Sequence, residues 1–167
     1  IPSWRGDDWM ISYSGDKGGV GPHYDNDDVC LVQVSGHRQW EVGGLYDESS
    51  PRRPDTSVKI LTEWEAEQSW VLEPGDMLYL PPRVGHSGVA VGDDCMTCSV
   101  GFRAPSHRDI LLDYPEYVGE QLSEEIRYAD PNLLPQTNPG QIRSGAVQNV
   151  QKILTQYVED HDRLAQW

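Results

Sequence analysis

The sequence is short of cysteine and of long apolar runs, and each shortage excludes a class of protein. Its 167 residues include three cysteines, a small odd number that argues against a disulfide framework and favours a reducing compartment such as the cytoplasm. No apolar run approaches the ~20 residues that a membrane-spanning helix needs, and the first residues lack the pattern of a signal peptide. The sequence therefore predicts a soluble protein with no membrane partner.

Basic residues are also scarce, since 13 lysines and arginines face 27 aspartates and glutamates, giving a net charge of −14. Such a surface repels nucleic acid, so we expect no direct nucleic-acid binding. It favours cationic partners through long-range attraction. The alternative interpretation is that the acidity only keeps the protein soluble.

Two of the cysteines form a CMTC motif, Cys95 to Cys98, of the kind that can bind zinc. The motif lies in a run that reads as a strand, where positions three apart face opposite sides of the sheet. We therefore expect buried, unreactive thiols here rather than a metal or redox site.

The spacing of turn residues predicts a mainly β domain followed by a helical tail. Short β-type segments separated by Gly, Pro and Asp fill the first hundred residues, as in an all-β barrel or jelly roll. After Pro105 the pattern becomes helical, with Ser106 as an N-cap. We therefore divide the chain into a barrel at 1–105 and a helical segment at 106–167. Because the chain opens with Ile1 in mid-pattern, we expect it to be part of a longer polypeptide.

The tail ends in a predicted helix with one apolar face, formed by Val147, Val150, Leu154, Tyr157 and Val158 and followed by Leu164. An apolar face on a helix is normally buried against another surface. The barrel, a neighbouring subunit and a following domain are all open possibilities at this point.

The stretch GVGPHYDNDD contains the first candidate metal ligands, His23 and Asp25. If a strand starts here, the two side chains project from the same face. His86 is the candidate third ligand, since a Pro-Gly turn, a short apolar strand and two prolines place it at a strand end. Two histidines and one carboxylate form the facial triad of non-haem Fe(II) oxygenases, whose open positions admit a co-substrate and dioxygen. The alternative for His23 and Asp25 alone is a solvated polar loop.

An organic acid co-substrate would need an anchor, and Arg38 is the candidate. It follows Gly36, which we interpret as a turn, so Arg38 would begin the strand after the metal-binding one. A guanidinium grips a carboxylate through two hydrogen bonds and stays charged when buried. The alternative is an ordinary surface arginine beside a turn.

Three stretches together resemble a known family: MISYSGDKGGVGPHYDNDDVCLVQVSGHRQWEVG, LEPGDMLYLPPRVGHSGVA and SVGFRAPS. They are similar to the JmjC-type, cupin-like ribosomal oxygenases, and most of all to the bacterial arginine hydroxylases of a large-subunit ribosomal protein. The similarity covers residues 7–106 in detail and the tail more loosely. Two departures stand out: His37 occupies a position that is often basic in the family, and the upstream strands that close the barrel are not in this chain.

The resemblance implies a double-stranded β-helix that binds Fe(II), 2-oxoglutarate and O2, with a homodimer formed through the helical tail. It implies His23, Asp25 and His86 as the iron ligands and catalytic centre, and Arg38 as the partner of the distal carboxylate of 2-oxoglutarate. Hydroxyl partners of that co-substrate are expected among Ser12, Ser14, Thr97 and Ser99. The basic ribosomal-protein substrate would meet Asp16 at the glycine-rich loop, where a plain turn role is the alternative, and other carboxylates such as Asp27 and Asp28.

Three rival functions remain open at the level of sequence. One is a JmjC-type demethylase or histidyl hydroxylase acting on another basic protein. The second is a cupin-like metal- or sugar-binding module without oxygenase activity, against which Arg38 argues. The third is a non-catalytic scaffold that serves mainly to dimerise.

Overall fold

The structure is a computed structural model that describes residues 1–131 and 133–167. It divides into two compact units, Ile1–Ala104 and Pro105–Trp167. Within the described residues, no helix is both long enough and apolar enough to cross a bilayer.

The first unit is an antiparallel sheet that begins after a short 3-10 turn at Ser3–Arg5. Its strands are β1 (Gly6–Ser14), β2 (Asp28–Leu45), β3 (Ala66–Leu72), β4 (Met77–Leu80) and β5 (Val84–Phe102). The order across the sheet is β1-β5-β2-β3, and β4 pairs with β2 beside that path. The predicted mainly β fold is therefore confirmed.

The apolar core of this unit forms around Leu31, Trp40 and Leu80. Five half-buried side chains pack against them: Val29, Val42, Leu72, Leu78 and Val84. Full burial of one valine or leucine side chain contributes about 1.5–3 kcal/mol to the free energy of unfolding. Because Leu31 and Trp40 lie on β2, this core fixes the strand that also carries Arg38.

Strands β2 and β5 are longer than the sequence pattern predicts, since each joins two predicted segments. The expectation of a turn at Gly36, with a new strand starting near Arg38, is wrong. The chain instead continues as one strand through an irregular pairing, in which Ser35 is opposite Met96 and His37 is opposite Val91. Gly36 has φ of +61°, and a Cβ there would lie 2.8 Å from the carbonyl oxygen of Asp94. Only glycine fits that bulge without strain.

The three cysteines are free, as expected. Cys95 is fully buried, whereas Cys98 is half-buried. Cys98 pairs with Val32 across the sheet, while Cys95 points toward the Gln33 amide at 3.5 Å. Cys95 is therefore buried as expected, whereas Cys98 is less buried than the sequence predicts.

The second unit contains α1 (His107–Glu120), α2 (Ser144–Val158) and α3 (His161–Gln166). Ser106 caps α1 by accepting a hydrogen bond from Asp109 N, and the Asp109 carboxylate accepts one from Ser106 N. The single helix predicted near the end is two helices, because the Asp160 side chain accepts a hydrogen bond from Arg163 N and starts α3. Tyr114 O–H donates to the carbonyl of Tyr157 at 2.6 Å and so ties α1 to α2.

Candidate metal and co-substrate site

Two histidines meet because a short backbone bridge joins the loop after β1 to the start of β5. His23 N donates to His86 O at 2.9 Å, and His86 N donates to His23 O at 2.8 Å. Residues paired in this way carry their side chains close together on one face. The ring centroids of His23 and His86 are accordingly 4.3 Å apart.

Asp25 completes a group of three ligand side chains. Its Oδ2 lies 3.9 Å from His23 Nε2 and 3.6 Å from His86 Nε2, and one ligating atom from each residue lies within 4.8 Å of the other two. Two atoms that bind one ion at about 2.1 Å are at most about 4.2 Å apart. The two histidine-to-aspartate distances fall within that limit, and the two histidine nitrogens lie within 4.8 Å of each other, so small side-chain shifts let the three residues share a metal ion.

Hydrogen bonds on the far side of each ring aim the free nitrogen at this centre. His23 Nδ1 lies 2.8 Å from Gly21 O, and His86 Nδ1 lies 3.0 Å from Val84 O. A carbonyl can only accept, so in the neutral form of each ring Nδ1 carries the proton and Nε2 has the free lone pair. A hydrogen bond from the far ring nitrogen to a carbonyl is what orients the histidine ligands of metals.

The environment of His86 also favours the neutral imidazole that a metal requires. Its side chain is buried, and this burial, together with repulsion from His23, lowers the pKa of His86 below its ordinary value. Hydrogen bonding to Val84 O and the charge of Asp25 oppose the shift. His37, His107 and His161 are exposed, as expected for histidines outside the site.

Arg38 is buried in the same region. Its side chain is on the inner face of β2, its Nη2 donates to Ser14 Oγ at 2.7 Å, and its guanidinium carbon lies 5.8 Å from the Trp40 ring centroid. Its Nε is buried and has no hydrogen-bond partner within residues 1–131 and 133–167. Among the residues that the structure describes, no carboxylate forms an ion pair with Arg38. An unpaired buried cation is costly, which makes this a fitting place for an anionic ligand.

A cavity of about 640 Å³ joins the three ligand residues to Arg38. Its wall includes three of the predicted hydroxyl residues, Ser12, Ser14 and Ser99. Thr97, the fourth, does not line it, because the buried Thr97 O–H donates to Gln33 Oε1 at 2.9 Å. The structure therefore leaves Thr97 without direct access to a ligand in this cavity.

The carboxylates expected to face a substrate differ in their positions. Asp27 lines the cavity, and burial, with contributions from Asp25 and Asp7, raises its pKa. The expectation for Asp28 is wrong: it is buried and accepts hydrogen bonds from Tyr79 O–H at 2.5 Å and Arg5 Nη2 at 2.6 Å. These bonds, Tyr79 first, lower the pKa of Asp28. Asp28 therefore has a structural role, because its carboxylate is already bound by Tyr79 and Arg5.

Asp16 is exposed on the glycine-rich loop and does not line the cavity. Its carboxylate accepts a hydrogen bond from Gly92 N at 2.9 Å, and its own N–H donates to Asp93 at 3.3 Å. The turn role considered for Asp16 is thus visible, and a contact with substrate stays a prediction.

Sequence reasoning missed two acidic residues of the cavity wall, Asp7 and Asp8. They lie at the start of β1, which also carries Met10, Ser12 and Ser14 to the same wall. The alternation Asp8, Met10, Ser12, Ser14 was a usable signal once Ser12 or Ser14 was suspected, because alternate residues share one face of a strand.

Comparison with known proteins identifies relatives of this chain. The matching family model is the JmjC domain, over residues 1–110. The chain is 34% identical over 167 residues to the ribosomal protein uL16 3-hydroxylase of Escherichia coli (strain K12), covering 100% of this chain and 44% of that protein. It is 41% identical over 134 residues to a probable ribosomal oxygenase of Haemophilus influenzae, covering 80% of this chain and 31% of that protein.

A solved structure gives the same result at the level of fold. YcfD, a ribosomal oxygenase from Escherichia coli in complex with cobalt and 2-oxoglutarate, matches with a TM-score of 0.81 and 34% identity, over 100% of this chain and 43% of that one. This match confirms the predicted cupin-like fold followed by helices. The chain spans less than half the length of these relatives. Since the family model covers residues 1–110 of 167, the chain belongs to the JmjC domain family.

Proposed function

We propose that this chain carries the active site of an Fe(II)- and 2-oxoglutarate-dependent protein hydroxylase. The observation that carries the proposal is one cavity that holds both a two-histidine, one-carboxylate group and a buried arginine that has no ionic partner in the described part of the chain. The first set suits Fe(II). The buried arginine suits the far carboxylate of a diacid, and a module that binds only a metal would not need such an arginine.

When bound, Fe(II) and 2-oxoglutarate supply the oxidising chemistry, in which O2 is consumed, succinate and CO2 are released and a C–H bond is hydroxylated. The chain's own residues bind and orient. His23, Asp25 and His86 would hold the metal, with the Nδ1 bonds to Gly21 and Val84 fixing both rings. Arg38 would hold the distal carboxylate, and Ser14 keeps the guanidinium in place.

The rest of the cavity would select the substrate and exclude water. Met10, Val29 and Leu31 give it an apolar wall. Asp7, Asp8 and Asp27 add carboxylates to that wall, in a chain whose net charge is −14. A guanidinium suits this lining because it pairs with carboxylates through planar hydrogen bonds while its methylene stem packs on apolar surface.

We therefore propose an arginine side chain of a large-subunit ribosomal protein as the substrate. The acidic cavity supports a basic residue, and the hydroxylase relative named for ribosomal protein uL16 supports the ribosomal target. Three free cysteines are consistent with action in the reducing cytoplasm, where such a protein is made.

The substrate can be tested by mass spectrometry of ribosomal proteins from cells with and without the enzyme. We expect a mass increase of one oxygen on one arginine-containing peptide, present only with the active protein. A hydroxylated histidine or a demethylated lysine would favour the alternative JmjC activities. No change on any ribosomal protein, together with no succinate release from 2-oxoglutarate, would contradict the hydroxylase proposal itself.

We further propose that the helical segment, 106–167, forms a homodimer. The apolar face of α2 is largely exposed in this unit: Val147, Val150, Leu154 and Val158 are between 48% and 62% accessible. Apolar patches of this kind often mark protein interfaces.

Light scattering on the purified protein should therefore give the mass of a dimer, and Leu154→Asp should give a monomer. Gln156→Asp changes an exposed residue on the opposite side of α2 and serves as the matched control. A monomeric parent protein, or a dimer that Leu154→Asp leaves intact at the same concentration, would refute this interface.

A further inference from the structure

The side chain of Gln33 is buried, polar and outside the cavity, and the proposed function gives it no role. It is 1% exposed, as is its partner Thr97. A buried amide costs free energy unless its donors and acceptor are all satisfied. Its hydrogen bonds show what it holds in place.

Gln33 Nε2 donates to the carbonyl of Ser35 at 2.8 Å and to that of Gly36 at 3.3 Å. These two residues form the bulge in β2, where the register against β5 shifts twice. On the other side, Thr97 O–H donates to Gln33 Oε1 at 2.9 Å, which fixes the orientation of the amide. Gln33 is thus a clamp between the bulge and strand β5.

The bulge determines which way Arg38 points. Before it, Leu31 and Gln33 are buried; after it, Arg38 and Trp40 are buried, while Gln39 is exposed. In a regular strand, residues on one face are separated by an even number, yet Gln33 and Arg38 are five apart. The bulge therefore reverses the alternation of β2. Without this reversal, the Arg38 side chain would face away from the cavity.

We propose that Gln33 is a positioning residue for co-substrate binding, which sets the direction of Arg38 by clamping the bulge at Ser35 and Gly36. The inference rests on the proposed role of Arg38 as the anchor of 2-oxoglutarate. The metal ligands lie on other segments, the loop at 23–25 and the start of β5. Loss of the clamp should therefore affect the diacid and leave the metal in place.

The test is a pair of binding measurements on each variant: metal affinity without the diacid, and anaerobic calorimetric titration of the metal-loaded protein with 2-oxoglutarate. Gln33→Leu removes the clamp, and Thr97→Val removes only the hydroxyl that orients it. Both are expected to weaken 2-oxoglutarate binding roughly tenfold or more, because small displacements of a binding group have large effects. Metal affinity should stay within about twofold of the parent.

Two further variants complete the series. Thr97→Ser keeps the hydroxyl and should retain most of the 2-oxoglutarate affinity. Gln39→Leu changes an exposed glutamine of the same strand, whose amide donates to Ser69 Oγ at 3.3 Å, and should change neither affinity. If Gln33→Leu does not fold, the comparison of Thr97→Val with Thr97→Ser decides.

Arg38→Met in the same series separates the two proposals. If Arg38→Met loses 2-oxoglutarate affinity and Thr97→Val binds it like the parent, the positioning role is overturned and the anchor stands. If Arg38→Met also binds 2-oxoglutarate like the parent, the co-substrate assignment itself is wrong. Metal and diacid affinities that fall together in Thr97→Val would show a general structural role and would overturn the inference too.

Discussion

Replacement of His86 by alanine is expected to abolish metal binding and hydroxylation together. His86 supplies one of three ligand atoms and is the most buried member of the group, with its Nδ1 held by Val84 O. Loss of an outer partner alone typically costs 10–100-fold in metal affinity or activity, so loss of a ligand should cost more than about 100-fold. Metal affinity is measured by titration of the purified protein, and activity by succinate release from 2-oxoglutarate.

The matched control is His37→Ala. His37 is exposed, lies on β2 of the same sheet and contributes nothing to the cavity wall. The His37→Ala variant should have the same metal affinity and the same succinate release as the parent. If His86→Ala still binds the metal as tightly as His37→Ala does, the three-ligand centre does not exist as proposed.

The metal ligands could be proposed from sequence because each lies next to strong local signals. His23 and Asp25 are two residues apart, and His86 follows a Pro-Gly turn and two prolines, so short-range chemistry limits where their side chains go. What sequence could not give is the backbone bridge that brings them together. His23 and His86 are 63 positions apart, and their pairing depends on tertiary packing of the β1–β2 loop against β5.

The hydroxyl and acidic residues were harder to assign because their roles depend on strand register. Thr97 and Ser99 both lie on the inner side of β5, yet only Ser99 reaches the cavity, because Gln33 occupies the space beside Thr97. Asp28 looked available for a substrate, but Tyr79 and Arg5 come from distant segments to bind it. Contacts between residues far apart in sequence leave no local pattern to detect.

The bulge at Gly36 shows the same limit for Arg38. A glycine between two β-type segments normally predicts a turn. That interpretation correctly placed Arg38 in a strand near the metal ligands, but it wrongly made Arg38 the start of a new strand. In the structure the strand continues, and the bulge turns Arg38 inward. A one-residue change in alternation moves every later side chain to the other face.

Arg38→Met should weaken 2-oxoglutarate binding by about 30-fold to 4,000-fold, the effect of removing one partner from a buried charge pair (about 2–5 kcal/mol). Arg38→Lys should fall between this variant and the parent, because lysine keeps the charge and loses the two-point grip. Arg53→Met is the control, since Arg53 is exposed and pairs with Asp55 at 2.6 Å. The measurement is anaerobic titration of the metal-loaded protein with 2-oxoglutarate.

The stability of Arg38→Met distinguishes a binding role from a structural one. Arg38 is buried with its Nε unsatisfied and with no ionic partner among the described residues, so the free protein bears the cost of an uncompensated charge. An apolar side chain of similar length removes that cost, and the ligand-free variant should unfold at the same temperature as the parent or a higher one. A structural arginine would show the opposite, with a lower unfolding temperature and unchanged diacid affinity. A variant that is more stable than the parent but binds 2-oxoglutarate more weakly is the result expected when the native residue serves ligand binding.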